Sequence, residues 1–430
     1  MNPQAAAQPL EALNPQVRAR FPMVERDSEG NPRLYLNTGA GSLTVDSAAE
    51  AAREAQGRLN PMPGSVCPGE AATAALHDRV RGLVADFLHA GEAREVSFHQ
   101  SATTALFGLA FGLRGVLAQG ANLVVTDLDH MANVSPWETV WGEGAKAEIR
   151  RARVTAEGAL DAGHLLSLVD ARTGLVALTS ASNGTGSLVP VAEIVAEVRR
   201  RAPACLVAVD AVHQAPHGVI DVLASDVDAL VFSGYKVFGP MLGVLWGRAG
   251  LLERLRPYRV ETNRDAAPGK LEAGMLNNAA LASLEAALEY LLRLSGLISS
   301  PPGPPADRPA RFRAVMTAVA EYERILTRRV LEGFRKLDPG RFGCFGIADP
   351  GRADERVPTF AFDVRGLTAT ETKRRLWEEA RIQIADGNHY SAAVVRHLGR
   401  PEGICRASFA HYDNAASVDR LLDAVGWLAR

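Results

Sequence analysis

The sequence predicts an α/β protein, with a large doubly wound, mainly parallel sheet domain followed by a smaller α+β domain. Three observations carry this expectation. Between residues 48 and 294, short and nearly continuous apolar runs at 122–126, 175–179, 205–209, 229–232 and 244–246 alternate with helical stretches, the pattern of parallel strands covered on both faces. The segment SSPPGPPADRP at 299–309 breaks that pattern, because proline fixes φ and removes a backbone donor. Beyond it, helix, strand, helix and strand alternate to the end of the chain, as a smaller α+β unit requires.

In chain order, residues 1–47 read as an N-terminal arm that packs with the small domain. It holds three early prolines, the strand candidate RLYLN and a glycine-rich turn at 37–42. Residues 48–298 form the large domain, 299–309 the exposed connection and 310–430 the small domain. In the last, a helix over 311–337 has Val315, Val319, Tyr322, Leu326 and Val330 near helical spacing. The strands VPTFAFDV and ICRASFA flank a helix over 370–380. No internal repeat is apparent.

Composition excludes several classes of function. With 47% hydrophobic and 22% charged residues, the 430-residue chain has the balance of a globular protein. A net charge of −2 with both signs scattered gives no basic footprint for nucleic acid. No uncharged apolar run reaches the ~20 residues that span a bilayer, and the N-terminus lacks the features of a secretory signal. No membrane association is expected, and the expected compartment is the cytoplasm. Cysteines at 67, 205, 344 and 405 are too few and too widely spaced for a disulfide framework or a metal site.

In an open parallel sheet, ligands bind beyond the carboxyl ends of the strands. LVVTD is followed there by LDHMANVSPW, LVALT by SASNGTG, CLVAV by DAVHQAPH and ALVF by SGYKVFGP. Each cluster alone reads as a cap or a turn; four at successive strand ends are more specific. Lys236, hemmed in by Phe232, Tyr235 and Phe238, is expected to have its ammonium form disfavoured by desolvation, which suits Schiff-base formation with a carbonyl compound. Asp210, at the end of CLVAV, is a poor core residue unless paired with a cation. A protonated pyridine nitrogen is one such cation, and a salt bridge to Lys236 is the structural alternative. Lysine on the aldehyde and carboxylate on the ring nitrogen is the arrangement a pyridoxal 5′-phosphate (PLP) site requires. Ser101-Ala102-Thr103-Thr104 opens an apolar helix, whose start serves equally as an N-cap and as a phosphate site.

VTDLDHMANVSPW, TSASNGTG, AVDAVHQAPH, VFSGYKVFGPMLGVLWG, LEAGMLN and CRASFAHYDNAASVDRLLDAV together resemble the cysteine desulfurase-like branch of the class V aminotransferases, fold-type-I PLP enzymes. The resemblance runs from about Phe21 to the C-terminus. It implies that Lys236 is the Schiff-base lysine and Asp210 the partner of the pyridine nitrogen. His130 would stack on the ring, Asn183 would lie near the ring hydroxyl or the substrate, and Thr103 and Ser233 would hold the phosphate. His213 stands where many relatives have a glutamine facing the ring hydroxyl, and Tyr235 replaces the histidine that usually precedes the lysine. Arg406 matches the arginine that binds the substrate α-carboxylate, which implies an amino-acid substrate. A homodimer is implied too, because sites of this family are built at a subunit interface.

Two departures bear on the reaction. Met275 stands where relatives usually have a threonine reaching the neighbouring subunit's phosphate. In ADGNHYSAAVV, Tyr390 occupies the position of the catalytic cysteine and Ala385 that of a common arginine. Tyrosine cannot carry sulfur away as a persulfide. Of the four thiols, Cys205 is expected inside a strand, Cys405 on the strand face opposite Arg406 and Cys344 in the turn RFGCFG, which leaves Cys67, in a mobile loop, as the one candidate substitute. The expectation is a PLP enzyme with Lys236 as anchor and base at Cα, cleaving a C–S bond. Transamination and epimerisation are the alternatives within the class, a cysteine desulfurase using Cys67 is another, and a catalytically degenerate binding or regulatory relative is the alternative outside it.

Overall fold

The apolar runs of the first half become one seven-stranded sheet in the computed structural model, which describes residues 3–59, 62–263, 265–298 and 307–430. Most of the proline-rich connection therefore lies outside the described residues. Strand β1 (Leu34–Tyr35) belongs to the N-terminal segment. The large sheet is built from β2 (Val96–His99), β3 (Asn122–Thr126), β4 (Ile149–Ala152), β5 (Thr173–Thr179), β6 (Leu206–Asp210), β7 (Ala229–Ser233) and β8 (Gly243–Gly247), in the order β2-β8-β7-β6-β5-β3-β4.

The pairs from β7 through β6, β5 and β3 to β4 are parallel. The apolar run at 244–246 corrects the parallel expectation, since β8 runs antiparallel to both its neighbours. β7 reaches β8 through a short turn carrying Lys236, which leaves no room for a crossover helix. The edge strand β4, with sequence IRRA and a half-buried pattern, has no apolar run and left no signal in the sequence.

Both faces of the sheet are buried, as the apolar runs require. Val176, Leu178, Val207 and Val209 face one hydrophobic layer, and their neighbours Leu175, Ala177, Leu206 and Ala208 face the other. The first layer is closed by the helices Pro68–Leu88, Val191–Arg201 and Asn278–Ile298, and the second by Ala102–Gly112 with Trp137 and Trp141.

The smaller C-terminal domain has a four-stranded antiparallel sheet. It is formed by β9 (Phe342–Phe345), β10 (Thr359–Val364), β12 (Ala385–Gly387) and β13 (Ile404–Ser408), ordered β12-β13-β10-β9. RFGCFG is thus a strand and not a turn: Cys344 sits in β9 opposite Phe362. Strand β11 (Ile382–Gln383) pairs in parallel with β1.

The N-terminal segment contains a helix, Pro3–Ala19, which continues through Pro15. Asn14 Nδ2 donates to the Asp413 carbonyl at 2.9 Å, and Arg18 Nη1 to that of Tyr412 at 2.8 Å. The Ser408 amide donates to the Leu36 carbonyl at 2.9 Å. These bonds carry the chain onward to Gly39, beside the carboxyl ends of the large sheet.

Candidate active site

Parallel strands put their carboxyl ends on one side, and there β3, β5, β6 and β7 border a single cavity of about 920 Å³. Gly39 and Ala40 close it from the N-terminal segment, the start of the helix Ala102–Gly112 from one end, and Arg406 with residues 385–390 from the smaller domain. The structure places Thr103, His130, Asn183, Asp210, His213, Ser233, Tyr235, Lys236 and Arg406 all on its wall.

Lys236 ends the 3₁₀ turn Gly234–Lys236 and is 5% exposed. Its Nζ donates to the Gly39 carbonyl and lies 5.3 Å from the Tyr235 ring centre. Burial and then the Arg406 cation lower its pKa to about 7, with Asp210 opposing. Asp210 Oδ1 accepts from the Val212 amide at 2.9 Å, and among the described residues the carboxylate forms no ion pair. Burial raises its pKa to about 6 against that hydrogen bond and the Lys236 charge. The salt bridge between Lys236 and Asp210 is therefore not formed, and a buried acid faces the cavity without a cation.

At one end, Ser101 Oγ accepts from the Thr104 amide at 3.1 Å, and Thr104 Oγ1 accepts from the Ser101 amide at 3.0 Å. The amides of Ala102 and Thr103 have no carbonyl one turn back, and both residues border the cavity. Such a terminus favours an anion. Gly243 allows it to sit there, since a Cβ at that position would stand 2.2 Å from the Ser101 carbonyl carbon.

At the other end, Arg406 is 3% exposed. Its Nη1 donates to the Asn183 carbonyl at 2.8 Å, and its Nε has no partner. Among the described residues no carboxylate pairs with it. Burial lowers its pKa to about 10, partly offset by Tyr235 and Tyr35, so it stays a cation at neutral pH. His130 Nδ1 accepts from the Ala132 amide at 3.0 Å. Burial, then Lys236 and Arg406, hold its pKa to about 4, which leaves a neutral ring. His213, whose pKa burial pushes well down, has Nε2 3.0 Å from Thr359 Oγ1.

The donor set fits PLP. Lys236 suits the aldehyde, the unpaired Asp210 a ring nitrogen, the helix terminus a phosphate and the unpaired Arg406 a substrate carboxylate. Sequence reasoning missed the Gly39 carbonyl, Thr359, His389 and Ser391. Asn183 Nδ2 donates to the His389 carbonyl at 2.7 Å and its Oδ1 accepts from Ser391 Oγ at 2.5 Å. The glycine-rich turn at 37–42 was the available signal for Gly39; long-range partners such as Thr359 leave none.

None of the four cysteines lines the cavity. Cys405 Sγ points at the Ala369 carbonyl, 3.3 Å away, on the face opposite Arg406. Burial pushes the Cys405 and Cys205 thiols up to about 12 and also raises that of Cys344. Cys67 is exposed and precedes the helix Pro68–Leu88. Tyr390 instead lines the cavity, its ring centre 5.3 Å from that of His130 with 31° between the planes.

A family model described as aminotransferase class-V matches residues 34–298 and 312–421. Over 425 residues the chain is 30% identical to a cysteine desulfurase of Pectobacterium carotovorum subsp. carotovorum (strain PC1), covering 94% of this chain and 95% of that one. Identity to a cysteine desulfurase of Serratia proteamaculans (strain 568) is 29%, covering 94% and 96%. The crystal structure of the cysteine desulfurase CsdA from Escherichia coli aligns with a TM-score of 0.78 at 27% identity, over 96% of this chain and 98% of that one. In fold, the chain also matches a C-DES mutant with glycine covalently linked to its PLP cofactor, with a TM-score of 0.74 at 21% identity over 96% and 98%.

Proposed function

The chain belongs to the class V aminotransferase family, and from that premise we propose that it is a PLP-dependent enzyme cleaving a C–S bond in an amino acid or a close derivative. The observation that carries the reading is one cavity lined by a desolvated lysine, a buried acid without a cation and a buried arginine without an anion. When bound, the cofactor supplies an electron sink for charge developing at the substrate Cα.

The chain's own groups take the remaining roles. Lys236 holds the cofactor aldehyde, and its Nζ, with a pKa of about 7, takes the Cα proton as a base poised at the working pH. Asp210, kept from any protein cation, holds a proton on the ring nitrogen. The amides of Ala102 and Thr103, with Thr103 and Ser233, bind the phosphate, and the neutral His130 ring covers one face of the cofactor. His213, held by Thr359, and Tyr235 orient the ring at its edges. Arg406 binds the α-carboxylate and, through the Asn183 carbonyl, is fixed to the end of β5. Loss of sulfur as a thiolate after the Cα proton is removed needs no thiol acceptor, which agrees with a cavity lined by Tyr390 and by no cysteine.

The same reading includes a cytoplasmic homodimer. The exposed large apolar side chains Val66, Tyr258 and Met275 support a partner surface. The test is a panel of amino acids and thioethers scored for pyruvate, ammonia, sulfide and keto acid. Pyruvate with ammonia supports C–S cleavage, whereas keto acid without sulfur release overturns it in favour of transamination.

A further inference from the structure

Resting on the C–S reading above, we infer that Tyr390 is a specificity-determining wall and that the substrate is a cysteine thioether whose sulfur carries a flat aromatic group. The loop that presents Tyr390 is built for position. His389 and Tyr390 both adopt left-handed backbone conformations, φ 52° and 57°, which side-chain-bearing residues avoid and which cluster at functional sites. That conformation is held from two strand ends. The Met131 amide donates to the Tyr390 carbonyl at 2.8 Å, and Asn183 binds the His389 carbonyl and the Ser391 hydroxyl. The Tyr390 amide bonds back to Asn388 Oδ1 at 3.0 Å.

The result is an aromatic ring carried on a held backbone, packed on one side against His130 and 71% exposed. A tyrosine held that open at a cavity rim offers a face for stacking, since offset aromatic pairs gain beyond the area they bury. Space agrees. The cavity of about 920 Å³ lies near the top of the ~300–1,000 Å³ range of ligand sites, which is more than a pyridoxal cofactor and free cysteine fill.

The reaction balances without an acceptor thiol. The Cα–H and Cβ–S bonds break, the Cα proton passes to Lys236, and the sulfur leaves with the C–S electron pair and is protonated to the free thiol. Water then hydrolyses the amino-acrylate product to pyruvate and ammonia. No oxidant or reductant is consumed.

The experiment uses the PLP-loaded enzyme with S-benzylcysteine, S-methylcysteine and cysteine as substrates. The α-methyl analogues of the two thioethers, which lack the Cα proton, serve as calorimetric binding probes. Wild type is expected to favour S-benzylcysteine. Tyr390→Ala should weaken the benzyl analogue about tenfold and the methyl analogue less than about twofold, with Tyr390→Phe close to wild type because the ring does the stacking. Equal weakening of both analogues, or loss in Tyr390→Phe as great as in Tyr390→Ala, overturns the wall and leaves C–S cleavage standing. Binding as expected with no pyruvate from any thioether overturns the C–S reading, and the thioether substrate with it, while leaving the wall.

Discussion

The Lys236 ammonium hydrogen-bonds to the carbonyl of Gly39, 197 residues earlier in the chain, while Asp210 is left with one backbone donor. Among the described residues, the N-terminal segment thus supplies the one hydrogen-bond acceptor of the Lys236 ammonium, a neutral carbonyl, and keeps the lysine from neutralising the acid. A lysine bonded to a carbonyl can lose its proton in place. A lysine paired to Asp210 would have its charge stabilised instead and would be a poorer nucleophile.

The pH dependence of cofactor capture follows. Lys236 titrates at about 7, well below its ordinary 10.5, so the neutral amine that attacks an aldehyde is present near neutral pH. When PLP is mixed with the cofactor-free protein, the growth rate of the visible absorbance band should rise through about pH 7 and level off above it. Arg406→Gln should move the inflection upward, because the arginine cation is the second cause of the depression. An inflection above pH 9 in wild type, roughly where an unburied lysine begins to lose its proton, would refute this account. Lys236→Ala should show no such band at any pH.

Asp210 sets stability against function. Its pKa rises from 3.8 to about 6 in the folded chain, so the folded state disfavours the charged form. In the cofactor-free protein the penalty is absent below pH 3.8, grows as pH rises and is complete above about 6. A shift of this size corresponds to a penalty of order 1–3 kcal/mol. Asp210→Asn should therefore melt higher than wild type at pH 8, with the difference fading at about pH 4. Activity should fall by at least about 100-fold, because the amide cannot keep the ring nitrogen protonated. Equal melting temperatures at both pH values would contradict the burial argument.

What was legible in the sequence divides along local and non-local lines. The apolar runs of β3, β5, β6 and β7 announced buried parallel strands, and the polar residues after them announced which end carries the site. Strand β4 escaped because an edge strand needs no apolar run, and β9 because the two glycines of RFGCFG imitate turn chemistry. The orientation of β8 turned on the shortness of the Lys236 turn. Within the site, Lys236 and Asp210 were readable as charges that a core does not tolerate unpaired, whereas Arg406 was readable only through the family resemblance. The Gly39 carbonyl and the Thr359 hydroxyl were not, since any residue has a carbonyl and their partners lie 197 and 146 positions away.

Gly243 tests the phosphate end. A Cβ there would stand 2.2 Å from the Ser101 carbonyl carbon and 2.6 Å from the Ala102 nitrogen. Both are backbone atoms, so the start of the helix Ala102–Gly112 has to move. Gly243→Ala should raise the cofactor Kd by about tenfold or more and cost ~1–3 kcal/mol of stability. Fluorescence titration with PLP and with pyridoxal separates the causes. A phosphate-specific effect weakens PLP and spares pyridoxal, whereas equal weakening points to general damage to the cavity.

Gly39 tests the carboxylate end, and there the obstacle is a side chain. A Cβ would lie 2.5 Å from Ser408 Oγ and 3.0 Å from Arg406 Cζ and Nε. Ser408 Oγ is buried without a hydrogen-bond partner, so it can rotate away at little cost. The guanidinium cannot move as freely, because its Nη1 is tied to the Asn183 carbonyl. Gly39→Ala should displace Arg406 by a few tenths of an ångström and spoil a carboxylate contact that depends on planar, paired geometry. That contact forms in the ground state and persists in the transition state, so its loss appears in KM and leaves kcat little changed. A rise in KM of about tenfold with kcat within about threefold is expected, and Arg406→Lys should give the same pattern more strongly. Ser408→Ala added to Gly39→Ala should not restore KM, because the clash with the guanidinium remains. A fall in kcat at unchanged KM would mean that Gly39 acts through its carbonyl on Lys236 instead, and a shift in the pH profile of kcat would locate the fault at that hydrogen bond.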